Sequence, residues 1–215
     1  MAVALNKQDL SEAKKLAKLV RNLNLTGHNP ATSGNYSLRS STSPGYALVS
    51  ESGIDKGVFT EDNLILVEVA TSKQHEIFLP LGKKSSDETD LHLAVYKATG
   101  ANCVLHSHML EGILFAELFP GQNFLQISGM ELLKGLKGIS THDTTVEIPC
   151  FDNTQDIKAL GEQVQKVINT NQYYSIILRG HGMYVWGENV DSAKRHLEVF
   201  EYLFKYYLAL KGIKS

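Results

Sequence analysis

The sequence is short of several things, and each shortage narrows what the chain can be. Cysteine occurs only as Cys103 and Cys150 in 215 residues. Two are too few for a disulfide framework, and both sit in strand-like apolar runs that read as buried thiols. No run of about 18 apolar residues occurs, so no stretch is expected to span a bilayer as a helix. The opening MAVALNKQDLSEAKKLAKLV lacks the basic start and unbroken apolar stretch of a signal peptide, which makes a cytoplasmic protein without a membrane partner the expectation. Positive charge is not in excess: 21 Lys and Arg stand against 23 Asp and Glu, a formal net charge of -2. The basic residues are spread without a dense cluster, which argues against nucleic acid as a partner. Repeats, low-complexity tracts and Pro/Gly/Ser linkers are missing too, so residues 1–215 read as one domain. At 43% apolar residues the chain can bury a core without a structural metal, so any metal it binds serves chemistry.

What is present is periodicity. Leu10, Ala13, Leu16, Ala17, Val20 and Leu23 recur at helical spacing, and the turn-rich TGHNPATSGN follows. YSLRS, YALVS and NLILVEV read as strands between turns. Ser85, Ser86, Asp87 and Glu88 offer caps for a helix from Leu91 to Thr99 that ends at Gly100. A strand containing VLHSH comes next, then a short helical pattern around Met130 to Leu136, and the strand TTVEIPCF. Thr154 and Asp156 open a helix reaching about Ile168, SIILR and MYVW form a strand pair about a glycine-containing turn, and Val190 to Leu210 is a long last helix. Strands and helices intermingle, which predicts an α/β chain folded as a mixed sheet covered by helices, an α/β/α sandwich.

Three constellations carry chemistry. In VLHSHM, alternate strand residues leave on one face about 7 Å apart at their roots, so His106 and His108 can converge on one ion. An isolated pair of this kind is also an ordinary feature of a hydrogen-bonded strand. His181, between Gly180 and Gly182, can project from a strand end and complete three neutral imidazoles with an open position, the ligand set of a catalytic zinc or similar divalent ion. His28, His75, His92, His142 and His196 sit in loop, helix or polar contexts that suit solvated or core histidines. The second constellation is hydroxyl and glycine: Thr32, Gly34 and Asn35, then Ser52 and Gly53, then Ser85 and Ser86. Their amides and hydroxyls can wrap a phosphate, although turn and capping chemistry accounts for any one cluster taken alone. The third is a pair of carboxylates, Glu88 and Glu131, either of which can move a proton or remain a solvated helix residue.

These residues carry a resemblance. From the TSGN loop to the last helix the chain resembles the class II aldolase family, the zinc-dependent group that includes sugar-phosphate aldolases and epimerases. Within it KSSDETDLHLAVY, VLHSHM, GMELLKGLKG and ILRGHGMYVWGENVDSAKRHLEVFEYLF are similar to its dehydratases of methionine salvage. The HxH and the later His are general to the family, and MELLKG and RGHGMYVWG are what point to the dehydratases. The resemblance implies a three-layer α/β/α sandwich on a central mixed, mainly antiparallel sheet. It implies one zinc held by His106, His108 and His181, and phosphate contacts from Thr32, Gly34, Asn35, Ser52, Gly53, Ser85 and Ser86. The substrate it implies is a small phosphorylated ketose, and the assembly a homotetramer with sites near subunit interfaces. Glu131 falls where the dehydratase pattern puts its acid/base, and Glu88 where the aldolases put theirs. That favours Glu131 as the proton-moving group of a hydro-lyase, with Glu88 a metal or substrate contact. A sugar-phosphate aldolase or epimerase is the nearest alternative, and a non-enzymatic interaction protein on the same fold is the other.

Overall fold

The computed structural model describes residues 6–213. Its first helix, α1 (Lys7–Leu25), starts where the Asn6 side chain accepts the backbone N–H of Asp9 at 2.7 Å, and buries Ala13, Leu16, Ala17, Val20 and Leu23 along one stripe. Three strands follow, β1 (Asn35–Arg39), β2 (Tyr46–Ser50) and β3 (Leu64–Glu68). Helix α2 (Thr89–Ala98) precedes β4 (Cys103–Ser107), α3 (Leu110–Glu117), β5 (Phe124–Ser128) and β6 (Thr145–Phe151). Helix α4 (Ile157–Ile168), the pair β7 (Ser175–Leu178) and β8 (Gly182–Gly187), and α5 (Val190–Leu210) complete the chain.

The eight strands form one sheet in the order β3-β2-β1-β4-β8-β7-β6-β5. Among the described residues every pairing is antiparallel except β6 with β7, which run parallel. Hydrophobic residues cover both faces, as the near-continuous apolar strands require. One core joins α1, α3 and α5 to the sheet through Leu16, Val20, Phe115, Phe200, Leu203 and Phe204; the other joins α2 and α4 through Leu91, Val95, Leu160 and Val164. Each large apolar side chain buried this way contributes roughly 1.5–3 kcal/mol. Helices α2 and α4 approach closely because position 161 is glycine, where a Cβ would sit 3.3 Å from the Asp90 carbonyl oxygen. The expected α/β/α layering and mixed, mainly antiparallel sheet are therefore present.

Two elements escape the periodicity argument. In α3, LEGILFAE, apolar residues occur on every side, and its first turn has no side-chain cap, so neither pattern nor start signal marks it. Strand β5 is a five-residue edge strand in which Leu125 and Ile127 alone are buried. The helical pattern around Met130 is a 3-10 helix over Glu131–Gly135. Both cysteines are buried free thiols.

Strand register brings distant segments to one place. Asn35 at the start of β1 lies opposite His106 near the end of β4, and Ser107 lies opposite Met183 of β8. The beginning of β1, the end of β4 and the β7–β8 turn thus meet at one end of the sheet, in its middle.

Candidate metal centre and phosphate pocket

His106 is fully buried on β4, His108 lies just past that strand's end, and His181 lies in the β7–β8 turn. Two backbone features bring them together. The turn N–H of His181 donates to the Leu178 carbonyl at 3.1 Å, and the N–H of His108 donates to the His28 carbonyl at 3.1 Å. Gly182 has to be glycine: a Cβ there would stand 2.4 Å from the Ser107 carbonyl oxygen and 3.2 Å from the His106 ring. The result is three imidazoles with centroids 4.7 to 4.9 Å apart.

Glu88 joins them from the residue before α2. Its Oε1 is 3.1 Å from His181 Nε2 and its Oε2 is 3.3 Å from His106 Nε2. One ligand atom from each of Glu88, His106, His108 and His181 falls within 4.8 Å of the others. The hydrogen bonds behind the rings say which nitrogens face inward. His106 Nδ1 meets the Met183 carbonyl at 3.0 Å and His181 Nδ1 meets Asn153 Oδ1 at 3.1 Å. Carbonyl oxygens only accept, so both Nδ1 atoms carry the proton and both Nε2 lone pairs point into the cluster. Burial and neighbouring histidines push His106 well below its ordinary pKa and His108 to about 4, so both rings are neutral. Inward lone pairs beside a carboxylate fit a divalent cation of the zinc type.

A cavity of about 170 Å³ opens beside this cluster, lined by Thr32, Gly34, Asn35, Ser52, Gly53 and Ser86 together with Glu88, His108 and His181. Six of the seven residues expected to hold phosphate therefore share one wall. Ser85 does not line it; its N–H is taken by Gln74 Oε1 at 3.2 Å. The backbone is bent hard here, with positive φ at Ala31 (51°), Thr32 (65°), Gly34 (78°) and Gly53 (75°). For the two non-glycine residues this conformation costs on the order of 1–3 kcal/mol.

Lys56 also lines the cavity and is a residue that reading of the sequence missed. Only 2% of it is exposed, and its ammonium donates to the carbonyls of Thr32 at 2.8 Å and Ile54 at 2.9 Å. It ties the two hydroxyl loops together and puts a cation at the cavity wall, while burial lowers its pKa. A lone lysine three residues after Ser52-Gly53 was the available signal.

Glu131 is not brought to this cluster. Its side chain is 70% exposed on the 3-10 helix, 2.7 Å from Lys134 Nζ and 3.4 Å from His142 Nδ1. Tyr184 stacks on His106 with centroids 4.1 Å apart, and its buried hydroxyl has no hydrogen-bond partner among the described residues.

Comparison with known proteins fits this geometry. The model of the Class II Aldolase and Adducin N-terminal domain matches residues 14–208. The chain belongs to the class II aldolase and adducin family. Within that family it is 40% identical over 191 residues to the methylthioribulose-1-phosphate dehydratase of Enterobacter sp. (strain 638), covering 88% of this chain and 90% of that one. A protein of the same name from Citrobacter koseri is 38% identical over 208 residues, covering 96% and 98%. Among solved class II aldolase-like structures, YgbL of Klebsiella pneumoniae aligns with a TM-score of 0.77 at 18% identity over 96% of this chain and 92% of that one. L-fuculose-1-phosphate aldolase of Thermus thermophilus aligns with a TM-score of 0.66 at 20% identity over 95% and 97%. At such identities the two structures speak for the class II aldolase fold alone.

Proposed function

We propose that the protein is a zinc-dependent hydro-lyase that converts 5-methylthioribulose 1-phosphate to 2,3-diketo-5-methylthiopentyl 1-phosphate, the dehydration step of methionine salvage. The observation that carries this reading is the convergence of three imidazoles and Glu88 beside a hydroxyl-lined cavity. Relatives that bear the dehydratase name over nearly the whole chain support the substrate. His106, His108 and His181, with Glu88 as a fourth donor, would hold the ion. Bound there, zinc supplies Lewis acidity toward the ketose carbonyl, which acidifies the neighbouring C3–H.

The chain's own groups do the rest. Thr32, Gly34, Asn35, Ser52, Gly53 and Ser86, with the Lys56 charge behind them, fix the phosphate and so place C2 and C3 at the histidines. A carboxylate removes the C3 proton, the C4 hydroxyl leaves as water after gaining a proton, and the enol left behind collects a proton at C4 to become the diketone. We assign the proton transfer to Glu131. Its exposed carboxylate has no contact with His106, His108 or His181 of its own chain, so in this reading it enters the site of a neighbouring copy in a cytoplasmic homotetramer. Among the described residues no helix is long and apolar enough to cross a membrane.

One observation favours a second reading. Glu88, at the place the aldolases use, does touch the cluster, and an aldolase would break C3–C4 instead. Incubating purified protein with the ketose phosphate in deuterated water separates the two. Dehydration gives a product lighter by one water and labelled at C4, whereas release of an aldehyde would overturn the assignment.

A further inference from the structure

His92 lies one turn beyond Glu88 on the same side of α2, fully buried and outside the cluster of ligand atoms. Its two ring nitrogens are both engaged. Nδ1 is 2.7 Å from Ser37 Oγ, which is 2.6 Å from the Tyr96 hydroxyl. Nε2 is 2.5 Å from Asn35 Oδ1, and Asn35 Nδ2 donates to Glu88 Oε2 at 2.5 Å. An unbroken line of side-chain hydrogen bonds thus runs from Tyr96 through Ser37, His92 and Asn35 to the carboxylate.

Proton counting gives this line one direction. An ionised carboxylate only accepts, so Asn35 must turn its amide N–H toward Glu88 and its oxygen toward His92. That oxygen also only accepts, so His92 carries its proton on Nε2. A neutral imidazole has one N–H, which leaves Nδ1 to accept from the Ser37 hydroxyl, and Ser37 in turn accepts from Tyr96. Complete burial pushes the His92 pKa to about 3, so the ring keeps this neutral form throughout the ordinary pH range. Neither His92 nor Asn35 can reverse alone without leaving two buried donors or two buried acceptors face to face.

We propose that His92 is the positioning residue of this centre, fixing the orientation of the Asn35 amide and through it the rotation of the Glu88 carboxylate. The inference rests on the reading of Glu88 as part of the metal and substrate centre. Glu88 turns one oxygen toward His181 Nε2 and the other toward His106 Nε2, an orientation that holds only while the carboxylate is kept from turning. The Asn35 N–H on Oε2 supplies that restraint, and His92 decides that Asn35 presents N–H rather than C=O. A helix histidine with no contact to the ligands gives no hint of this in the sequence.

Histidine-selective nitrogen NMR on the zinc-loaded wild-type protein tests the tautomer without relying on activity. The expected result is a His92 ring protonated at Nε2, and a ring protonated at Nδ1 would overturn the proposal. A mutant cycle tests the coupling. His92→Phe should weaken zinc binding about 10- to 100-fold, as loss of an outer contact to a metal site does, and lower kcat with little change in KM. His92→Gln, whose amide N–H can still donate to Asn35, should recover most of the loss. Adding His92→Phe to Asn35→Ala should cost almost nothing further, whereas additive losses would mean that His92 acts independently of Asn35 and would overturn the proposal. Should His92→Phe fail to fold, the tautomer and the Gln variant still decide. Glu88→Gln with full zinc and full activity would instead remove the underlying role of Glu88, a result separate from the tautomer and the cycle.

Discussion

Mixing two inactive variants tests where Glu131 does its work. Glu131→Gln keeps the histidines but cannot accept a proton, and alone should turn over about two to four orders of magnitude more slowly. His181→Ala keeps Glu131 but loses a ligand and, with it, most bound metal. If the carboxylate serves a neighbouring copy, co-assembly restores working sites that neither parent contains. In random assembly at equal amounts, a site works when its own chain brings the histidines and the neighbour brings Glu131. Each condition holds half the time, so about a quarter of the wild-type activity per chain should return. Little opposes the move, because Glu131 is held at the surface only by Lys134 and His142, pairs for which solvent already competes. The assay is co-expression with two different tags, purification on both, and diketone formation per chain. Hybrids no more active than the average of the two parents would refute the reasoning and confine Glu131 to its own subunit or to no role.

Replacing His106, His108 or His181 with alanine should each strip most of the bound zinc while leaving the fold intact by circular dichroism, and a fully loaded His181→Ala protein would refute the ligand set. Ser86→Ala should raise KM more than it lowers kcat, since a phosphate contact is equally strong before and during reaction; an unchanged KM would move phosphate recognition elsewhere. Chelated protein should lose stability in acid, for His92 is held near 3 in the fold while the unfolded ring titrates near 6.5. Its folded pKa is the lower one, so the stabilisation is whole above about pH 6.5 and shrinks by roughly 1.4 kcal/mol per pH unit as pH falls toward the folded value. A lower urea midpoint at about pH 5 than at pH 7.5, with a smaller drop in His92→Gln, is the expected outcome; equal midpoints would contradict it.

Much of this was legible in the sequence because it rests on local rules. The stripes of α1, α4 and α5 follow from one-sided burial and the near-continuous apolar strands from burial on both faces, and the two-residue spacing of His106 and His108 carries its geometry with it. His181 could be joined to them because its flanking glycines mark a close backbone approach, which Gly182 bears out against Ser107. The rest depended on what lies far away in the chain. Helix α3 is apolar on all sides because it is wedged against α5, with Phe115 and Phe204 stacked 4.5 Å apart. Lys56 acquires its place from the carbonyls of Thr32 and Ile54, and His92 from Asn35 and Ser37 on β1. No spacing rule encodes such partners. Glu131 shows the opposite limit: the motif that holds it is local, but one chain leaves the side chain in solvent.

The position of the histidines in the strand order has a mechanical consequence. β4 and β8 are the two middle strands, and the ligands sit at the end of one and in the turn that leads into the other. An ion held there would clasp two segments more than 70 residues apart in the chain across the centre of the sheet. Its loss would then be felt first as fraying between the halves β3-β2-β1-β4 and β8-β7-β6-β5, so hydrogen exchange along the β4–β8 seam should report metal occupancy before any assay of turnover does.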